Sequence, residues 1–225
     1  MKKIKHFFSE NCCICNEILN SRFPEKLRRI YSIENRVCYE NENFIVIPSV
    51  SPIVEGHLML IPKKHIKSLA YVDMDTLDSF KELVKKVFSF IKTKYCEPFL
   101  FEHGVGEDEF TGCGIDHAHL HILPIQLENQ NRIFNAILSE RNILHAGNMY
   151  ELLSSIDKRK SYLLFGCQVN NMYFSTAEGA KSQYIRKIIS SIVGNKNWNW
   201  NEYYGVNEFL STYNSFKNFL TKESL

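Results

Sequence analysis

Residues 116–124 read DHAHLHILP. His117, His119 and His121 alternate there with Ala118, Leu120 and Ile122, and Pro124 closes the run. Successive side chains of a strand point to opposite faces. The pattern therefore places three imidazoles on one face and three apolar side chains on the other, toward a core. Neighbouring imidazoles on a straight strand stand about 7 Å apart. Such a row suits an elongated anion, a polyphosphate for instance, better than a single metal ion. The chain has eight histidines, so three within five residues is a concentration that a lone, carbonyl-satisfied core histidine does not explain.

Upstream of this strand, "FLFEHG" (99–104) predicts a strand that runs into the Gly-rich loop "GVGEDEFTGCG" (104–114). Gly104, Gly106, Gly112 and Gly114 would let backbone N–H groups approach an anion. Before it, "DMDTLDSFKELVKKVFSFIKTKY" (73–95) carries Leu77, Phe80, Leu83, Val84, Val87, Phe88 and Ile91 at helical spacing. Asp73 or Asp75 is the expected cap, and lysines crowd the later turns, where the helix dipole favours them. "RVCYE", "NFIVIPS" and "GHLMLIP" predict three further short strands. Beyond Pro124 lie an amphipathic segment (131–144) and a strand pair, "SYLLFG" and "MYFST". A helix over 179–194 follows, with Ile185, Ile188, Ile189 and Ile192 inward, and then one last helix in the aromatic tail. No Pro/Gly/Ser-rich linker divides the chain, so the second half is expected to pack on the first.

Composition narrows the class. Hydrophobic residues are 44% of the 225, enough for a packed core, and the net charge of +2 gives no reason to expect nucleic acid as a partner. No apolar run is long enough for a membrane span, and polar residues after "MKKIKHFF" interrupt any signal-peptide core. The expected address is the cytoplasm. Seven cysteines, an odd number, argue for free thiols or metal ligands over disulfides. Cys12 and Cys15 have the C-x-x-C spacing that lets two thiolates hold one ion, although such a pair supplies only half a tetrahedral site. No G-x-x-x-x-G-K-[ST] pattern of a P-loop occurs.

"HAHLHIL" fits the His–φ–His–φ–His–φ–φ pattern of the histidine triad (HIT) superfamily at every position. "SPIVEGHLMLIPKKH" (51–65) resembles the segment that precedes the triad in that family, and "NCCICNEIL" resembles the opening of many bacterial members. The resemblance implies an α+β fold, a HIT-like antiparallel sheet with a long helix packed on it. The HIT domain would span 1–125, and 126–225 would be a C-terminal α/β extension packed on it. It further implies nucleotidyl transfer, with His119 attacking the α-phosphate of a nucleotide, His121 bonding a phosphate oxygen, and His117 or its carbonyl orienting His119. Neutral imidazole is a competent nucleophile near pH 7. His57, Gly104, Gly112 and Gly114 would help bind the nucleotide. In bacterial members that bind zinc, the ligands beyond the cysteine pair map to His65 and His117. The resemblance thus implies a structural zinc on Cys12, Cys15, His65 and His117, and no organic cofactor.

Three positions depart from the family pattern. Ser49 stands where an acidic residue binds the ribose hydroxyls, His103 where an Asn precedes the loop, and Cys113 where a Gln precedes the triad. The phosphate chemistry survives these changes, whereas the identity of the nucleotide does not follow. The tail resembles a longer bacterial group described as diadenosine polyphosphate hydrolases, through Ser182, Gln183, Arg186, Trp198 and Trp200. Gln183 and Arg186 could cap the phosphate end of the pocket or simply form a solvated helix face. The tail could also stand in for the partner subunit of the short dimeric members, so a homodimer stays open. The leading expectation is a hydrolase of a dinucleoside polyphosphate or nucleoside phosphoramidate. The alternatives are a nucleotidylyltransferase, which the retained His121 disfavours, and a nucleotide sensor without turnover.

Overall fold

The computed structural model describes residues 8–107 and 115–223. The strands are β1 (Tyr39–Glu40), β2 (Phe44–Pro48), β3 (Leu58–Pro62), β4 (Pro98–Gly104), β5 (Leu120–Pro124), β6 (His145–Gly147), β7 (Tyr162–Gln168) and β8 (Asn171–Thr176). They form one sheet in the order β1-β2-β3-β5-β4-β7-β8-β6, and every pairing is antiparallel. The helices are α1 (Cys13–Asn20), α2 (Glu25–Tyr31), α3 (Leu77–Lys94), α4 (Leu127–Glu140), α5 (Met149–Ser155), α6 (Tyr184–Ile192) and α7 (Val206–Glu223).

β2, β3, β4 and β5 are buried along their whole length, because helices cover both faces of the sheet. On one face Phe80, Leu83, Val84, Val87, Phe90 and Ile91 of α3 join Leu58, Leu60, Leu100, Leu120 and Ile122 of the strands in one core. This is the apolar side of the triad pattern, as the alternation required. The opposite face is split. Ile133 and Ile137 of α4 and Ile185 and Ile189 of α6 share a core with Phe99, Leu123, Leu163 and Phe165. Ile14 and Cys15 of α1 pack with Ile45, Ile47, Met59 and Ile61. The ground between those two clusters is where the histidines emerge.

Residue 125 is no break in the sheet. β4, from the first half, pairs with β7, from the second, from Leu100↔Gly166 to Gly104↔Tyr162. A Cβ at Gly104 would lie 2.3 Å from the Tyr162 ring. That residue is a close-packing glycine inside a strand, which corrects its expected place in a phosphate loop. Glu102 ties the same region together, accepting hydrogen bonds from Leu69 N–H at 2.8 Å and from the Tyr162 hydroxyl. Gly112 and Gly114 lie outside the described residues.

Other expectations need adjustment. α3 starts at Leu77 after a 3-10 turn over Met74–Thr76, and neither Asp73 nor Asp75 caps it: Thr76 is the N-cap, and its hydroxyl donates back to the Asp73 carbonyl at 2.9 Å rather than capping the helix. Asp73 pairs with Lys64 instead. α1 and α2 had no periodic signal, being only 8 and 7 residues long. The ladder of β5 begins at Leu120, so only His121 of the triad is a ladder residue, and His117 and His119 lie in the segment leading into it.

Candidate functional site

The histidines line up through backbone carbonyls that fix their tautomers. His119 Nδ1 lies 2.6 Å from the carbonyl oxygen of His117. A carbonyl only accepts, so Nδ1 carries the proton and Nε2 keeps a free lone pair. His121 is set by a relay. The N–H of Ile53 donates to His57 Nδ1 at 3.2 Å. The His57 proton is therefore on Nε2, which donates to His121 Nδ1 at 2.9 Å. His121 is left with Nε2–H as a free donor. His117 Nε2 donates to the carbonyl of Pro62 at 2.7 Å, which turns its Nδ1 lone pair toward the cysteines.

The triad is thus not a straight row of equal imidazoles. The rings of His119 and His121 stand edge to face with centroids 4.8 Å apart, and the ring of His121 stacks on Phe101 at 4.3 Å. Burial lowers the pKa of His119, assisted by the charges of Arg186 and Arg36 and opposed by the His117 carbonyl. Burial also lowers His121 well below its ordinary value and brings His103 to about 4. All three are neutral imidazoles at neutral pH.

His119 and His121 open on a cleft whose empty space, counted out to solvent, is about 940 Å³. Its walls combine distant parts of the chain: Ile14 of α1, Leu27 of α2, Met59 of β3, Phe101 of β4, and Ile185 and Trp200 from the second half. The apolar wall is what a base or other flat ring requires. Of the sequence-predicted residues, Ser49, His103, Gln183 and Arg186 all line this cleft. The solvated helix face weighed for Gln183 and Arg186 is therefore excluded, and both are buried. His103 has a buried Nδ1 without a hydrogen-bond partner. His57 is corrected in position: it is fully buried, off the cleft wall, and its Nε2 is bonded to His121.

A feature missed in the sequence is Arg36. It is buried on the cleft, bound to Glu17 through Nε at 2.7 Å and Nη2 at 2.9 Å, and it lies 4.8 Å from the ring centre of Phe23. One arginine before a short strand and one glutamate 19 positions earlier carry no signal that pairs them.

Cys12, Cys15, His65 and His117 converge beside the triad, with ligand atoms all within 4.8 Å of one another. The nearest approaches are Cys15 Sγ to His65 Nδ1, 3.3 Å, Cys12 Sγ to His117 Nδ1, 3.4 Å, and Cys15 Sγ to His117 Nδ1, 3.5 Å. Cys12 is the N-cap of α1, its Sγ facing the N–H of Cys15. Cys13 turns the other way, into the cleft wall. The four-residue cluster could hold a metal ion.

Residues 31–127 match the HIT domain family. An uncharacterized HIT-like protein of Chlamydia trachomatis is 31% identical over 96 residues, which are 41% of this chain and 82% of that protein. An uncharacterized HIT-like protein of Methanocaldococcus jannaschii is 28% identical over 112 residues, 50% of this chain and 78% of that one. Among solved structures, a zinc-bound histidine triad family protein from Mycobacterium smegmatis is 20% identical, with a TM-score of 0.39, covering 52% of this chain and 76% of its own. The chain belongs to the histidine triad (HIT) family. That membership supports a nucleotide-binding, hydrolase or transferase role. Among the described residues no helix is long and apolar enough to cross a membrane.

The hydrogen-bond relay makes a spectroscopic prediction. Two-bond 1H–15N spectra at neutral pH should show His119 as the Nδ1–H tautomer and His121 as the Nε2–H tautomer. In His57→Phe the His121 signals should become those of a tautomer mixture while His119 is unchanged. A His119 protonated on Nε2 in the wild type would contradict the relay.

Proposed function

We propose that the chain is a nucleotide hydrolase that cleaves at the α-phosphate of a dinucleoside polyphosphate or nucleoside phosphoramidate through a covalent nucleotidyl-histidine. The observation that carries this is the free Nε2 lone pair of His119, held in place by the His117 carbonyl, on the wall of an apolar cleft. His119 Nε2 attacks the α-phosphorus. The Nε2–P bond forms as the bond from phosphorus to the leaving group breaks. A polyphosphate leaving group departs with the electron pair as an anion, whereas an amine leaves with a proton taken up from the medium. Water then attacks phosphorus, the electron pair of the Nε2–P bond returns to nitrogen, and a nucleoside monophosphate and a proton are released. His121 Nε2–H is the donor to a non-bridging oxygen, where charge gathers in both transition states. His57 keeps that proton on Nε2 and acts through His121 as a positioning residue.

The metal of the neighbouring cluster is proposed to be zinc, bound by Cys12, Cys15, His65 and His117. Two thiolates and two imidazoles are the donor set of a closed, structural site. Bonds of about 2.3 Å to sulfur and about 2.0 Å to nitrogen in a tetrahedron give sulfur–nitrogen edges of about 3.5 Å. The separations of 3.3, 3.4 and 3.5 Å fit that edge. The donation from His117 Nε2 to the Pro62 carbonyl is the bond by which a metal-ligating histidine usually fixes its tautomer and ring orientation. Such an ion would tie α1 to the segment that enters β5 and so hold His117 and its carbonyl in place. It supplies no step of the chemistry.

Two experiments test these readings. Diadenosine polyphosphates, adenosine phosphoramidates and nucleotide sugars should be assayed with and without added phosphate. Turnover of one class, independent of phosphate, is expected, and His119→Ala should lose it by on the order of 10³-fold or more. Equal turnover by the variant would remove the covalent mechanism, and an absolute need for phosphate would make the protein a transferase. Metal analysis of fresh protein should find about one zinc per chain in the wild type. In Cys15→Ser it should find almost none, together with a lower melting temperature. A metal-free wild type would sink the zinc site.

A further inference from the structure

The cleft holds two buried arginines, and they are treated differently. Arg36 is neutralised by Glu17 through two hydrogen bonds. Arg186, 4% exposed, has no carboxylate partner among the described residues. Its Nη2 donates to the Ser51 carbonyl at 2.6 Å, its Nε to the Trp198 carbonyl at 3.3 Å, and its Nη1 to Ser49 Oγ at 3.4 Å. All three acceptors are neutral. They use three of the five guanidinium N–H groups and leave one on each terminal nitrogen. A buried charge without a counter-charge is costly, and proteins keep one where a ligand supplies the partner.

The surroundings hold that guanidinium ready. Arg186 is in the first turn of α6, and Gln183, Tyr184, Ile185 and Arg186 all line the cleft, so the positive end of the helix dipole faces it too. Gln183 adopts φ +60°, an unusual conformation for a residue other than glycine. Its amide donates to Asn199 Oδ1 at 3.1 Å and accepts from the N–H of Trp200 at 3.2 Å. Those bonds fix the turn whose Trp198 carbonyl holds Arg186. The only carboxylate among the described residues of the cleft wall is that of Glu17, already engaged by Arg36.

We infer that Arg186, beside Ser49, forms a second anion subsite, so that the nucleotide taken by this cleft carries a phosphate in addition to the one that His119 attacks. The inference rests on the nucleotide reading of the cleft and narrows its substrate class. A guanidinium reads a phosphate through paired N–H groups, whereas a carboxylate in the same place would read a sugar diol. The second phosphate can belong to the sugar or lie further along the chain of phosphates.

Calorimetric titration separates these sources. Adenosine and guanosine 5′-monophosphates serve as references, each against its 3′,5′-bisphosphate and its 5′-diphosphate. In the wild type one of the doubly phosphorylated forms should bind about tenfold tighter than the monophosphate, and which one does so names the source. That ratio should fall to about one in Arg186→Met and in Ser49→Asp, whose new carboxylate would neutralise the arginine, and should be partly retained in Arg186→Lys. Ser49→Asp decides the matter if Arg186→Met does not fold. A wild-type ratio of about one, or a ratio unchanged in the Met and Asp variants, would make Arg186 a structural staple and overturn the inference while leaving the hydrolase reading in place. A wild type that binds none of these nucleotides would overturn both.

Discussion

The site depends on one hydrogen bond, from His119 Nδ1 to the carbonyl of His117 two residues earlier. Imidazole is a useful nucleophile only when one nitrogen is free and aimed, and this bond frees Nε2. The carbonyl is itself held, because the His117 ring is pinned at Pro62 and at the Cys12–Cys15 cluster, and the N–H of Ala118 donates to the carbonyl of Ile66 at 2.7 Å. Three successive histidines are therefore used for three purposes, each decided by which ring nitrogen meets a carbonyl or an imidazole. The Cys/His cluster, the proposed nucleophile and the proposed phosphate donor stand side by side.

The second half of the chain belongs to this site. β7 extends the sheet from β4, which fixes Phe101 and His103 on the cleft side. The N-terminal end of α6 then adds Gln183, its N-cap, and Arg186 to the cleft lining. α7 contributes support at a distance: Thr212 Oγ1 accepts from the N–H of Gly56, next to His57, at 2.8 Å. The relay to His121 and the cleft's far wall are thus both braced by residues beyond position 125, and the cleft is lined from both halves of a single chain.

Much of this was legible in the sequence, and for identifiable reasons. The alternation at 117–122 gave the apolar face that meets α3, and the 3.6 period of Leu77–Ile91 gave α3 itself, since both patterns repeat often enough to be read locally. The C-x-x-C pair and the triad marked the Cys/His cluster and the cleft. What stayed hidden depended on contacts far apart in the chain or on backbone detail. The Glu17–Arg36 pair, the His57–His121 relay and the meeting of Arg186 with Ser49 join residues whose partners no local pattern names. Gly104 looked like a loop glycine because the Tyr162 ring that forces it lies 58 positions on. β5 starts at Leu120, and the segment before it is bonded elsewhere, His117 Nε2 to the Pro62 carbonyl and the N–H of Ala118 to the Ile66 carbonyl, which strand alternation does not express.

The central claim is that His119, through Nε2, forms the bond to phosphorus. Rapid acid-free quenching of the enzyme with a cleavable nucleotide, followed by peptide mapping and 31P spectroscopy, tests it directly. A nucleotidyl group on His119 of the 116–124 peptide, with a phosphoramidate shift and bonded at Nε2, is the predicted result. It should be absent from His119→Ala and present in His103→Ala. A modification on another histidine, or turnover without any covalent adduct on the reaction's own timescale, would contradict the account.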